Sequence, residues 1–191
     1  MSPAEAIAVA LAIAYLVLAI RENPWCWPAG IASSLLYLAV FRDAGLYLQS
    51  ALQLVYVGMG VYGWRAWRAG GADSTLPIRR WPLRHHAVAV AAVAVATGVA
   101  GLLLARHTEA PAPYLDAFAT FGAVLATGLT ARKLLENWLY WFVVDAVTLV
   151  VAYGQGLKLT AGLFALYLVL VVAGALRWLA VWRRQAPAVA S

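Results

Sequence analysis

Charge is what this sequence has least of. Only 12% of its 191 residues are Asp, Glu, Lys or Arg, while 64% are hydrophobic. An ordinary soluble domain is about 25% charged and about 45–50% apolar. No stretch resembles a soluble domain, and the chain reads as one integral membrane unit. The single cysteine, Cys26, excludes an internal disulfide and is expected as a small buried hydrophobe. The three histidines are His85, His86 and His107. The first two open one apolar segment and the third closes it, so they cannot meet at one metal. HExxH, Ser–His–Asp and Cys–His arrangements are missing, as is a phosphate-cradling glycine loop. These absences argue against a membrane enzyme and against an ATP-driven pump, and no cofactor or metal is expected. A retinal protein is disfavoured because the last apolar segment has no central lysine; Lys158 stands at its outer edge. The net charge of +6 does not point to nucleic acid, because the basic residues are scattered at segment ends.

What remains is hydrocarbon. A spanning helix needs about 20 apolar residues, and seven segments qualify or nearly do: 4–20, 27–41, 46–67, 86–105, 114–131, 137–154 and 158–180. The first has no basic stretch before it and is read as a span, not a cleaved leader. Eleven basic residues fall on one side: Arg21, Arg65, Arg68, Arg79, Arg80, Arg84, Arg132, Lys133, Arg177, Arg183 and Arg184. Arg42, Arg106 and Lys158 fall on the other. The positive-inside rule makes the first side cytoplasmic, with the N-terminus outside and the C-terminus inside. Tryptophans 25, 27, 64, 67, 138, 178 and 182 lie near this end; for Trp64, Trp67, Trp178 and Trp182 an interfacial belt is the favoured expectation.

The chain echoes itself. "ENPWCW" (22–27) stands 114 positions before "ENWLYW" (136–141). Further on, Gly45, Leu46, Leu48, Leu52, Tyr56, Gly63 and Trp67 match Gly156, Leu157, Leu159, Leu163, Tyr167, Gly174 and Trp178 at a spacing of 111. A loop three residues shorter in the second copy would reconcile the two spacings. Spans 1–3 and 5–7 are therefore expected to be copies, and the Ala/Val-rich span 4 an odd linker that returns the chain to its starting side. The expected fold is all-α, seven transmembrane helices as 3+1+3 parallel repeats. The expected divisions are 1–67, 68–113, 114–182 and a tail at 183–191. Parallel repeats with a midplane site between them are a transporter architecture.

Polar residues inside spans are the candidates for chemistry. Asp145 lies ~12 Å into the sixth helix at ~1.5 Å per residue, near the middle of a ~30 Å core. A central Asp costs roughly 2.5–3.5 kcal/mol to insert, which makes function its default explanation. Trp138, Trp141, Asp145 and Thr148 share one helical face. Aromatic rings beside a carboxylate suit an organic cation; a structural hydrogen bond to a neighbouring helix is the alternative. In the third helix Gln49, Gln53, Tyr56, Gly60, Gly63 and Trp67 form one stripe, in which Gln53 is equally a helix–helix hydrogen bond or a ligand contact. Ser33 and Tyr37 share a side of the second helix, with Ser33 expected near the level of Asp145. Asn23 and Asn137 are expected to cap helices, and Glu22 and Glu136 to favour the positive ends of helix dipoles, with Arg21, Arg132 and Lys133 as nearby partners.

At these residues the sequence resembles the PnuC family of bacterial vitamin transporters. The resemblance is carried by "LYLQSALQLVYVGMGVYGWRAWR" (46–68), "ARKLLENWLYWFVVDAVTLVVAYGQGLKLTAGLFALYLVLVVAGALRW" (131–178) and "WCWPAGIASSLLY" (25–37). It implies a SWEET-like fold in the bacterial inner membrane, often as a homotrimer, and facilitated diffusion of an unphosphorylated vitamin precursor, most often nicotinamide riboside. It carries Gln53, Asn137, Trp138 and Trp141 into or near the pocket. Members that carry nicotinamide riboside commonly have Asn where this chain has Ser33 and Asp145; others carry thiamine, riboflavin or deoxynucleosides. The expected ligand is a cationic vitamin precursor held by Asp145, Trp141, Trp138, Asn137, Gln53, Tyr56, Ser33, Tyr37 and Thr148. A proton- or sodium-coupled carrier, with Asp145 as the ion site, is the near alternative; an accessory subunit would give no uptake by itself.

Overall fold

In hydrocarbon every backbone N–H and C=O must be satisfied within its own segment, and the helix does this. The computed structural model of the protein describes residues 3–43, 47–69, 76–108 and 111–185. They form seven helices: α1 (Pro3–Ile20), α2 (Cys26–Asp43), α3 (Tyr47–Arg68), α4 (Leu83–His107), α5 (Pro113–Ala131), α6 (Asn137–Gly154) and α7 (Lys158–Gln185). Each matches one expected span to within a few residues at its ends. All except α2 and α3 are long and apolar enough to cross a membrane by length and composition. The expected matches at Gly45 and Leu46 and the end of the tail (186–191) lie outside the described residues.

Packing follows a pattern of two triplets. α2 packs on α1 and α3, and α6 on α5 and α7; α3 meets α5, and α1 meets α7. Exchanging α1, α2, α3 for α5, α6, α7 leaves this list of contacts unchanged. α4 stands outside it: it packs along α5 and touches α6 through His86, whose ring stacks on Tyr140. Gly101 permits the close approach to α5, because a methyl group there would overlap the Tyr114 ring.

The equivalence extends to single atoms at a spacing of 111. The α1–α2 turn bonds Glu22 N to Ala19 O and Asn23 N to Leu18 O; the α5–α6 turn bonds Lys133 N to Thr130 O and Leu134 N to Leu129 O, all at 3.0 Å. Glu22 (φ 57°) and Lys133 (φ 50°) are the only described non-glycine residues with positive φ. Trp27 and Trp138 are the matching rings of α2 and α6: each lies against a glycine of the next helix, Gly63 or Gly174. Each also stands edge-on to a further ring, Trp67 at 5.5 Å or Trp178 at 5.3 Å.

This corrects the expected register. The "EN…W" echo at 114 does not mark equivalent positions. Cys26 matches Asn137, Trp27 matches Trp138 and Ser34, not Ser33, matches Asp145, so the second copy has no shortened loop. The belt expectation also fails for Trp67 and Trp178, which are 2% and 0% exposed. Their rings meet at 6.0 Å where the triplets join. The Trp67 indole N–H donates to the Ala131 carbonyl and that of Trp178 to the Ala19 carbonyl, both at 3.1 Å. A buried indole N–H usually finds a partner; here each triplet supplies one to the other, while the buried N–H groups of Trp27 and Trp138 have none among the described residues.

The segment between α3 and α4 is fastened to the second triplet. Ile78 N donates to Gln185 Oε1 (3.2 Å). Arg79 N donates to the Lys133 carbonyl (3.0 Å) and Leu135 N to the Arg79 carbonyl (2.9 Å). Arg80 pairs with Glu136 at 2.9 Å and lies over the Trp182 ring at 5.4 Å. Helix ends 20, 26, 68, 83, 131, 137 and 185 thus gather at one end of the bundle, the end that carries the eleven basic residues.

Candidate functional site

Between the triplets lies a cavity of about 150 Å³, lined by Ala12, Tyr15, Trp27, Gly30, Ser33, Ser34, Tyr56, Gly60, Thr127 and Trp141. It draws on five helices: α1, α2, α3, α5 and α6. Its walls are four aromatic rings (Tyr15, Trp27, Tyr56, Trp141), two of them phenols, and three aliphatic hydroxyls (Ser33, Ser34, Thr127), with no charged side chain. Ligand sites more commonly enclose roughly 300–1,000 Å³, so a vitamin-sized molecule needs the triplets to part further. A roomier cleft of about 590 Å³ lies between α4, α5 and α6. Its only polar side-chain groups are those of Thr97 and Tyr140, and it sits outside the interface between the triplets. Orientation of a polar ligand requires convergent polar groups, so the smaller cavity is the candidate site.

Trp141, Tyr56 and Ser33 of the expected set line this cavity. Trp141 is held there by a network. The Thr130 hydroxyl accepts from the Trp141 indole N–H (3.2 Å) and lies within reach of the Ala126 carbonyl (2.9 Å) and Asn137 Oδ1 (3.1 Å). Asn137 Nδ2 donates to the Leu134 carbonyl (2.7 Å), so both ends of this amide are used within the chain. Asn137 is 0% exposed and orients the network from behind the cavity wall; it does not cap α6. At the α6 start it is Glu136 whose carboxylate is used, by Arg80 and by the backbone N–H of Trp81. Asn23 likewise bonds the Trp25 N–H (2.9 Å) in its own turn.

Other expected residues take different places. Trp138 packs under Gly174 and Trp178 and does not line the cavity, because α6 turns that face toward α7. Ser33 lines the cavity with its hydroxyl already given to the Ala8 carbonyl (2.9 Å), which ties α2 to α1. Thr148 donates back to the Val144 carbonyl (2.9 Å). Tyr37 stacks on Phe41 at 5.5 Å. Gln53 is buried at 8% exposure on α3, and Gln49 is exposed.

Asp145 is 4% exposed. Among the described residues no hydrogen bond or ion pair reaches its carboxylate. Asp145 stands one helical turn beyond Trp141, farther from the basic end, and does not line the present cavity. Sequence reasoning missed Tyr15, Trp27, Ser34 and Thr127, which the cavity needs. Tyr15 and Thr127 sit in apolar segments where one hydroxyl raises no signal, and Trp27 was read by its place near a helix end.

The Thr130 network makes a direct prediction. Thr130→Val keeps the shape but leaves the Trp141 N–H and the Asn137 carbonyl without that partner. A lost buried partner costs about 1–3 kcal/mol. Thermal unfolding in detergent should show that loss, with weaker ligand binding as Trp141 is freed; unchanged values on both would remove Thr130 from the site.

Comparison with known proteins agrees with this fold. The nicotinamide mononucleotide transporter family matches residues 2–180. The riboflavin/roseoflavin transporter RibM of Streptomyces davaonensis is 27% identical over 172 residues, covering 88% of this chain and 80% of RibM. The nicotinamide riboside transporter PnuC of Escherichia coli is 24% identical over 153 residues, covering 66% of this chain and 64% of PnuC. The crystal structure of the vitamin B3 transporter PnuC shares the fold, with a TM-score of 0.76 at 24% identity over 95% of this chain and 82% of that one. With the match running through both triplets, the chain belongs to the nicotinamide mononucleotide transporter family and is a membrane transporter, not an enzyme.

Proposed function

We propose that this protein takes up a cationic heteroaromatic vitamin precursor, nicotinamide riboside first and thiamine as the same-class alternative, by facilitated diffusion. The observation that carries the reading is the Asp145 carboxylate: buried, unpartnered among the described residues and one turn from the cavity ring Trp141. A charge left alone in a low-dielectric interior is unfavourable, and a bound cation relieves it. Trp141, Tyr56, Tyr15 and Trp27 would enclose the ring of the ligand, where cation–π attraction adds to the charge pair. Gln53, Tyr37 and Thr148 would join as the triplets part; Trp138 and Asn137 act by holding Trp141 and α6.

The two triplets (1–67 and 114–182) rock about the midplane site, and the segment 68–113 spans between them. The basic end is cytoplasmic by the positive-inside rule, in a bacterial inner membrane, with a homotrimer as the assembly the resemblance implies. A second reading is riboflavin. The uncharged wall of the present cavity favours it, as does the likeness to RibM.

A binding panel of nicotinamide riboside, thiamine, riboflavin and a neutral nucleoside against the purified protein decides between them. The expected result is tight binding confined to a cation. Riboflavin as the single tight ligand would replace this reading with the second. Flux into liposomes that persists when proton and sodium gradients are collapsed is expected of facilitated diffusion.

A further inference from the structure

Where the two triplets meet at the cytoplasmic end, the Trp67–Trp178 contact and the two indole-to-carbonyl bonds are unchanged by exchanging the triplets. The Glu22–Lys133 contact joins unlike partners. Glu22 and Lys133 occupy equivalent positions, 111 residues apart, yet carry opposite charges, and they bond each other at 3.1 Å. Lys133 is 1% exposed, and its ammonium also lies 4.7 Å from the Trp67 ring centre. Both residues hold the left-handed backbone conformation, which is unfavourable for a non-glycine residue. Such outliers persist where the surroundings over-determine them. Here the 78–81 segment pins the Lys133 peptide through the Arg79 bonds on either side of it.

We propose that Glu22 and Lys133 form an inter-triplet latch that holds the cytoplasmic end shut and must release for the cavity to open inward. Two like charges facing each other at equivalent positions would repel, and here the two copies carry complements. The latch rests on the alternating-access reading above but not on which vitamin is carried.

The chain supplies its own reporter. Cys26 is its only cysteine, is 0% exposed and opens α2 four positions after Glu22 at this end. Its labelling by N-ethylmaleimide, measured without substrate, reads how often the end opens. Glu22→Gln and Lys133→Met are each expected to raise the labelling rate at least about tenfold, the factor that ~1.4 kcal/mol produces. The charge exchange Glu22→Lys with Lys133→Glu is expected to return it to within about threefold of the parent, because the moved ammonium faces Trp178, the counterpart of Trp67. General loosening is detected by Ser50→Cys in a Cys26→Ser background, where the latch variants should leave labelling at the parental rate. Parental rates at Cys26 in both single variants overturn the latch, and so does an exchange variant that labels as fast as they do. If the single variants do not fold, the exchange variant decides alone by the same threefold criterion. A latch that fails this way leaves the ligand assignment standing, since no ligand is present.

Discussion

Asp145→Asn is expected to weaken binding of a cationic vitamin by roughly 30- to 200-fold and to leave riboflavin within about threefold. The range corresponds to about 2–3 kcal/mol, the order expected when a charge-assisted contact in a partly dry site becomes a neutral one. Asn keeps the shape of the side chain, so the change isolates charge from packing. The same substitution should leave the empty protein equally or more stable, because the parent buries a carboxylate with no partner among the described residues. Lower affinity with a higher unfolding temperature is the pattern of a residue kept for function at a cost in stability. Titration of both ligands against parent and variant, with thermal unfolding of the ligand-free proteins, tests this. An equal loss for cation and riboflavin would sink the counter-ion role, and a large loss of stability would make Asp145 a structural residue.

How much of this was legible in the sequence depends on what kind of physics fixes each feature. Spans were legible because a length of apolar residues and a helix are nearly the same statement in lipid. The triplets were legible through Gly63 and Trp67 against Gly174 and Trp178, residues that do the same job twice. The junction misled for the opposite reason. At the axis the useful partners are complements, so Glu22 and Lys133 share no letter, while "ENPWCW" and "ENWLYW" share letters three positions out of register. The positive φ of Glu22 and Lys133 sets the true register, and no composition rule predicts it for Glu or Lys. Within the site, Asp145 and Trp141 stood out because charge and indole are conspicuous in hydrocarbon. Trp138 was carried along by its spacing on the same helix, and spacing does not say which neighbour a face meets. Tyr15 and Thr127 become site residues only once α1 and α5 are brought to opposite sides of one cavity.

The same twofold logic yields the second large effect. Gly63→Ala and Gly174→Ala are expected to destabilise the protein by similar amounts, each about 1–3 kcal/mol, the usual range for overpacking a filled interior. A methyl at Gly63 would overlap the Trp27 ring and one at Gly174 the Trp138 ring. Both rings are almost fully buried, at 1% and 2% exposed, and belong to one cluster with Trp67 and Trp178, so neither can swing clear. The two substitutions should not be independent: the displaced rings both press on the Trp67–Trp178 contact, and sites that share partners couple. Gly58→Ala and Gly98→Ala serve as comparison, since a methyl at either meets nothing within 4 Å and should leave stability equal or raise it by up to about 1 kcal/mol through helix propensity. Thermal unfolding of the four single variants and the Gly63/Gly174 double variant in one detergent measures all of this. If Gly63→Ala is costly and Gly174→Ala is not, the two triplets do not carry equivalent wedges. If all four behave alike, these glycines are not the close-approach points that bring the tryptophans together at the basic end.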